Sequence, residues 1–352
     1  KASGEHLSPV VVGFGPAGLM AALVLAQAGL KPIVLERGND VDQRIVDIDK
    51  FWDEGILNEE SNVQFGEGGA GTFSDGKLTA RGKDLRANYL LESFIKAGAP
   101  AEIMYEAHPH IGTDKIRNVV KNIRSEIIRL GGEVHFASRV QDLIVEDSKL
   151  IAVKTQDNTY YSDSFIFAIG HSAYDTFALF DKYRVSMEAK PLAIGVRIEH
   201  LQNWIDKAQY GKFTNHPSLK SAEYRLAHQS SNGRGVYSFC MCPGGFVVAS
   251  SSQQGGIVTN GMSEYRRDQE NANSALLVQV SPKDFGEGTL AGIKFIHELE
   301  RKAYEFGGSN YHAPISRVED YLARRQSQEN GVVTPSYKPG VKHVNMSELL
   351  PE

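Results

Sequence analysis

Apolar residues fall along this chain in three spacings, each predicting a different element. Two short apolar runs, Pro9–Val12 and Ile33–Leu35, bracket a glycine turn and an uncharged stretch, and read as strand, turn, helix and strand. Helical spacing returns at Val41, Ile45, Ile48, Phe51 and Trp52, and again from about Arg86 to Ala97, closed by Gly98. A longer helix is predicted from Asp114 to Leu130, with Thr113 as N-cap and Gly131-Gly132 as its stop. Its core face is Ile116, Val119, Val120, Ile123, Ile127 and Leu130.

Short strands joined by hairpin-type turns such as Asp157-Asn158 follow at Glu133–Phe136, Val140–Glu146, Leu150–Thr155 and Tyr160–Tyr161. The continuous run Ser164–His171 fits a strand buried on both faces of a parallel sheet. Beyond Lys190 alternation takes over, at Leu192–Ile198, Val236–Met241 and Phe246–Ser250, with one amphipathic helix near Ala291–Phe306. After Tyr321 the chain is polar and turn-rich, and no firm structure is assigned. The pattern predicts an α/β protein: a Rossmann-like dinucleotide-binding domain over 1–185, with an insertion at about 39–112. A β-rich (α+β) domain at 186–320 and an irregular tail at 321–352 complete it.

The first turn carries chemistry. Gly13-Phe14-Gly15-Pro16-Ala17-Gly18 satisfies G-x-G-x-x-G in the setting that gives it meaning, after a strand and at the start of a helix. Gly13 allows the tight turn, Gly15 lets backbone N–H groups approach a pyrophosphate, and Gly18 lets helix and strand pack closely. Pro16 and Ala17 open the helix, whose N-terminus offers unpaired N–H groups and partial positive charge to phosphates. Glu36, with Arg37 beside it, ends the second strand 18 positions after Gly18, near the roughly 20 expected of an acid that binds a ribose hydroxyl.

A second match, Gly66-Glu67-Gly68-Gly69-Ala70-Gly71, lacks that setting. Asn62–Phe65 is too short and polar for a buried strand, Thr72–Gly76 is a loop, and no strand-terminal acid follows. It predicts a backbone nest, with the hydroxyls of Thr72 and Ser74 also facing the cofactor.

The 352 residues allow two domains, and a formal charge of −5 gives no field for nucleic acid or anionic membrane. Residues 7–30 are uncharged, but the helical part from Pro16 to Ala28 spans only roughly 20 Å, short of a ~30 Å bilayer core. The only two cysteines, Cys240 and Cys242, make no disulfide framework, which points to the cytoplasm. They lie two apart on a predicted strand, hence on one face, and lack the partner spacing of a metal site. The absent initiator Met and the ending Leu349-Leu350-Pro351-Glu352 read as those of a fragment.

Several stretches together resemble the bacterial FAD-dependent dehydrogenase family. They are Ser61–Leu78, Pro109-His110-Ile111-Gly112-Thr113, Ala168–Ala173, Gly195-Val196-Arg197-Ile198-Glu199-His200 and Tyr237–Gly245. Tyr174 stands where that family's pattern has Arg, and the family's N-terminal extension and C-terminal glycine-rich flavin segment are missing. The resemblance implies a glutathione-reductase-type FAD domain interrupted by the β-rich domain, which would be the substrate domain. It also implies oxidation or reduction of an unidentified small molecule by hydride transfer.

FAD contacts are then expected from Gly13, Gly15, Pro16, Ala17, Gly18, Glu36 and Arg37, and from Val140, Ala168 and Gly170. The second loop adds Gly68, Gly69, Ala70, Gly71, Thr72, Ser74, Asp75, Gly76 and Lys77. Lys77, Arg197 and Cys242 are the candidates for the chemistry: Lys77 to balance a reduced flavin, Arg197 to meet an acidic substrate group or pair with Glu199. His110 and His171 read as structural. NAD(P)H would act as a transient reductant without its own Rossmann domain, and no Cys-x-x-x-x-Cys pair marks a disulfide reductase. A flavin monooxygenase or oxidase using O₂, and a non-catalytic or RNA-associated flavoprotein, are the alternatives.

Overall fold

Three consecutive valines set the centre of the first unit. Val10–Val12 (β1) are buried, and β1 pairs in parallel with Ile33–Leu35 (β2) on one side. The computed structural model describes residues 7–79, 84 and 86–351. It divides into one unit of Lys1–Asp49 with Asn58–Val185 and another of Lys50–Leu57 with Ser186–Glu352.

In the first unit β1 leads through the glycine turn into α1 (Pro16–Gln27), and β2 into α2 (Val41–Glu54), along which the chain passes from one unit to the other. Next come α3 (Arg86–Lys96) and α4 (Thr113–Arg129), then β3 (Glu133–His135). The antiparallel meander is β4 (Asp142–Glu146), β5 (Lys149–Lys154) and β6 (Thr159–Tyr161); β7 (Phe165–Phe167) and α5 (Tyr174–Lys182) close the unit.

The main sheet runs β3-β2-β1-β7 and is parallel throughout. The predicted apolar stripe of α4 packs with Leu19, Ala22, Leu23 and Ala26 of α1 in one core. Each fully buried aliphatic side chain there contributes roughly 1.5–3 kcal/mol, enough to override the polar outer face of α4.

Four details of this unit differ from the pattern-based expectation. Thr113 is the first residue of α4 rather than its cap; Gly112 precedes it, and the Thr113 hydroxyl donates to the Thr72 carbonyl at 2.8 Å. The run at 133–136 joins the parallel sheet instead of the meander. β7 is an edge strand, so Ile166 is 37% exposed rather than buried on both faces. Val140 precedes β4 and is buried in the core under the meander.

In the second unit the strands are β8 (Leu192–Leu201), β9 (Ala227–Gln229), β10 (Gly235–Cys242), β11 (Phe246–Ala249), β12 (Thr259–Met262) and β13 (Asn271–Val280). The antiparallel order is β8-β13-β10-β9, with β11-β12 as a separate pair. Helices α6 (Gln202–Tyr210), α7 (Pro282–Phe285) and α8 (Ala291–Gly307) are followed by β14 (Ala313–Ile315), α9 (Val318–Leu322) and β15 (Val341–His343).

Residues 321–352 are thus not irregular throughout. β15 pairs in parallel with β14, and Val344, Met346 and Leu349 form a small core with Val196 and Phe306. Phe51 and Leu57 belong to this unit's core, with Val247, Ile257 and Tyr311.

Candidate functional site

Gly13 and Gly18 allow the tight turn and close packing that the sequence predicts. Gly13 has φ +97°, and a Cβ on it would overlap the Ala168 carbonyl; a Cβ on Gly18 would overlap the Gly13 carbonyl and meet Ala168 Cβ at 3.4 Å. Gly13, Gly18 and Ala168 are therefore packing partners. Gly15 differs. Its backbone is extended, and a Cβ there would meet only Gly69 Cα, at an ordinary 3.7 Å. Gly15 is the N-cap of α1; no side chain caps the helix, no acid lies in its first turn, and Pro16 and Ala17 are exposed. An uncapped, charge-free helix N-terminus has its first N–H groups free for an anion.

Facing it is the second glycine segment. Gly69–Phe73 form a 3-10 turn, and a Cβ on Gly69 would sit 2.9 Å from Gly15 Cα. A Cβ on Gly71 would lie 3.5 Å from Pro16 Cγ, and the Gly68 N–H donates to the Phe14 carbonyl at 2.9 Å. The structure therefore brings Gly15, Pro16, Gly68, Gly69 and Gly71 together.

Two buried charges hold the segments in place. The Glu36 carboxylate, 4% exposed, accepts N–H bonds from Phe14 at 2.7 Å, Gly38 at 2.9 Å and Gly66 at 3.0 Å. Glu36 thus ties both glycine segments to the end of β2. Arg44, fully buried, donates to the carbonyls of Asn62, Val63 and Glu67 at 2.8, 2.9 and 2.7 Å and stacks on Phe73. Burial pushes its guanidinium down to about 9. Glu67, also fully buried, accepts from the Val41 N–H and pairs with Arg124 at 3.2 Å, and burial raises its carboxyl.

The remaining first-unit candidates are more occupied than expected. Thr72 is buried and donates to the Glu67 carbonyl at 3.1 Å; Ser74 donates to the Gly71 carbonyl and accepts from the Gly76 N–H. These hydroxyls brace their own loop instead of facing outward. Lys77 is ion-paired with Asp75, which is 1% exposed, and bridges His110 through the backbone. Ala70 lies within the 3-10 turn, and Gly170 follows β7 with open space around it. Arg37 stacks on Phe65 and, with Arg139, pairs with Glu60 and Asp175. His171 is exposed just past β7.

In the second unit Arg197 does not pair with Glu199. Its Nη1 donates to the Cys240 carbonyl at 3.2 Å and to Asn273 Oδ1, while Glu199 accepts from Asn271 and from Ser336. Cys240 and Cys242 do not share one strand face either. The register with β13 shifts between Phe239 and Cys242, Cys240 has φ +44°, and only Cys242 is fully buried. Among the described residues no group of three His, Cys, Asp or Glu side chains is placed to hold a metal. Nor is any described helix long and apolar enough to cross a membrane.

Sequence reasoning missed Arg44, Asn273 and Gly261. Arg44 left a signal: with Val41, Ile45 and Ile48 it falls on the apolar stripe of α2. A charge on a buried stripe needs partners.

A parallel sheet whose first turn leads into an uncapped, glycine-lined helix N-terminus defines a Rossmann-like dinucleotide-binding protein. Which dinucleotide follows from relatives. Residues 7–44 match the family described as "FAD binding domain", and residues 191–352 that described as "FAD-dependent protein, C-terminal domain-like". The chain is an FAD-dependent protein of Rossmann-like fold, and FAD is its cofactor. The residues present fit that group: Gly15 keeps the helix N-terminus clear and no acid lies in the first turn of α1.

The chain is 54% identical over 346 residues to a Clostridium beijerinckii protein described as "Uncharacterized protein", covering 98% of this chain and 65% of that one's length. Solved structures with similarity include PqsL of Pseudomonas aeruginosa, described as "a probable FAD-dependent monooxygenase", at TM-score 0.40 and 12% identity over 80% of this chain and 62% of that one. Glycerol-3-phosphate dehydrogenase of Bacillus halodurans, complexed with FAD, gives TM-score 0.38 and 14% identity over 85% of this chain and 54% of that one.

Proposed function

We propose that this chain is the FAD- and substrate-binding part of a cytoplasmic oxidoreductase acting on a small molecule, with neither nucleic acid nor membrane as partner. The observation that carries the reading is the bare N-terminus of α1 against Gly69, inside a chain whose two ends match FAD-dependent families. In this reading the first unit is the FAD domain and the second the substrate domain. Gly15, Pro16 and Ala17 would hold the pyrophosphate, with the Gly68, Gly69 and Gly71 turn packed beside them. Glu36 fixes both segments and would lie beside the ribose, with Arg37 and Gly170 flanking the adenosine half; Val140, in the core under the meander, would only support that wall. Asp75 and Lys77, already paired, present a neutral contact rather than a free cation. FAD, when bound, supplies hydride acceptance and donation. The chain's residues bind, orient and exclude water.

Titration of the purified chain with FAD, followed by flavin fluorescence and thermal shift, tests this. Saturable binding that raises the melting temperature is expected. Anaerobic bleaching of the flavin by NADH or NADPH, with little H₂O₂ on readmission of air, would mark a dehydrogenase. Rapid H₂O₂ release would mark an oxidase instead. Absence of FAD binding by the folded chain would refute the proposal.

A further inference from the structure

In the second unit, one face of the sheet β8-β13-β10 carries a cation that no described carboxylate neutralises. Facing residues on paired strands project to the same side. Arg197, Ala275 and Phe239 therefore form one rung of this face, and Gly195, Leu277 and Tyr237 the next. Phe239 is 54% exposed, Gly195 is exposed, and Arg197, Ala275, Leu277 and Tyr237 are half-buried. The floor beside Arg197 is thus apolar, partly aromatic and open.

The guanidinium itself is held firmly. Its Nη1 donates to the Cys240 carbonyl and to Oδ1 of Asn273, which is itself 0% exposed. Asn273 Nδ2 has no partner, and flipping the amide would set a donor against a donor. The molecule thus leaves a buried donor unsatisfied, at a cost of about 1–3 kcal/mol, to keep Arg197 in place. The bulge at Cys240, with φ +44°, turns the second acceptor toward it. Gly261 of β12 makes room: a Cβ there would overlap Arg197 Nη1 and approach Asn273 Oδ1 at 2.5 Å and Cys242 Sγ at 2.7 Å.

No carboxylate neutralises Arg197 among the described residues, and its Nε and Nη2 make no hydrogen bond there. Glu199, the neighbouring acid on this face, is engaged by Asn271 and Ser336. An anchored guanidinium with a free edge matches the planar fork of a carboxylate.

We propose that Arg197, set by Asn273 and Gly261, is the receptor for the carboxylate of a small organic acid whose apolar body lies on Ala275, Leu277, Tyr237 and Phe239. This deepens the assignment of the second unit as a substrate domain and rests on it. One guanidinium suits a monoanion, and the apolar floor selects against inorganic ions.

Benzoate, benzamide and inorganic phosphate, titrated calorimetrically against the FAD-loaded protein, separate charge from shape. Benzoate is expected to bind at least about tenfold more tightly than either of the others, the value of roughly one charge-assisted contact. Arg197→Gln should lose benzoate binding by a similar factor, and Gly261→Ala should do so by displacing the guanidinium. Phe239→Ala should weaken benzoate without making benzamide bind. Equal affinity for benzoate and benzamide, phosphate binding as tight as benzoate, or an Arg197→Gln variant that keeps its benzoate affinity would overturn the proposal. The ligand comparison on the unaltered protein decides the matter even if a variant fails to fold. Flavin content is read from absorbance throughout. Loss of flavin with benzoate binding kept strikes the cofactor reading alone, and loss of benzoate binding with flavin kept strikes this one.

Discussion

Replacing Gly15 by Ala separates the needs of the fold from those of the ligand. Gly15 has φ −70° and ψ −175°, which any residue adopts, and an added Cβ would meet only Gly69 Cα at 3.7 Å. The protein itself has no objection to the methyl group, and the change in stability should stay within about ±0.5 kcal/mol. The pyrophosphate, by contrast, needs the backbone at hydrogen-bond distance. A methyl group there forces it back by about 1 Å and disrupts one or two charge-assisted bonds, worth roughly 1.5–3 kcal/mol each. FAD affinity should therefore fall by about two orders of magnitude. Gly13→Ala and Gly18→Ala serve as contrasts, since both would overlap backbone carbonyls and should unfold the unit with or without FAD. Urea denaturation gives the stabilities and fluorescence quenching the affinities. A Gly15→Ala protein that is folded and binds FAD as tightly as the parent would refute the placement of the pyrophosphate.

Glu36→Ala would leave the N–H groups of Phe14, Gly38 and Gly66 without their acceptor, costing about 3–5 kcal/mol even without FAD. Unchanged denaturation with weakened FAD binding would instead make the ribose its main partner. Cys240→Gly should be neutral or stabilising by up to about 1 kcal/mol, because it relieves the positive φ. The double Cys240→Ser, Cys242→Ser variant should keep its flavin and be reduced within a few-fold of the parent rate in stopped-flow traces; lost turnover with flavin bound would make the pair catalytic. Glu300 on α8 lies against Gly256, and burial pushes its carboxyl up to about 7, from 4.5. The folded state holds this proton more tightly than the unfolded one. Its contribution to stability is therefore full below about pH 4.5 and lost as pH rises through about 7, by about 2 kcal/mol once partial exposure is allowed for. Glu300→Gln should flatten that part of the stability–pH curve, and an unchanged curve would place the titration elsewhere.

The β1-α1-β2 unit is legible in the sequence because every constraint on it is local: three valines, glycines at fixed offsets and an acid at the strand end. The stripe of α4 is legible for the same reason. Where partners are distant the pattern fails. Glu133–His135 carries nothing to say that it pairs with β2 instead of the next hairpin, and Phe165–Phe167 is as apolar as a central strand though it lies at the edge. No glycine or proline announces the bulge at Cys240. The hydroxyls of Thr72 and Ser74 suggest a ligand, yet backbone carbonyls within their own loop claim them first. Arg197 is visible as a candidate, but its partners Asn273 and Cys240 come from strands far along the chain, and Gly261 from another.

The passage of the chain along α2 from one unit to the other bears on how the protein is made. Phe51 and Leu57 leave the ribosome early, yet their core partners Val247, Ile257 and Tyr311 come roughly two hundred residues later, and the Trp52 indole waits for the Ala249 carbonyl, 197 positions on. Domains that emerge in order usually fold in order. Here the first unit can finish while the eight residues 50–57 stay exposed, an apolar flap with no core to enter until most of the second unit has appeared. Expressing residues 186–352 alone would remove Phe51 from that unit's core, and expressing 1–185 alone would strand it in water. The boundary at Val185 is therefore a poor place to cut, and a chaperone that shields Phe51 and Trp52 would act at the step where this chain is most exposed to aggregation.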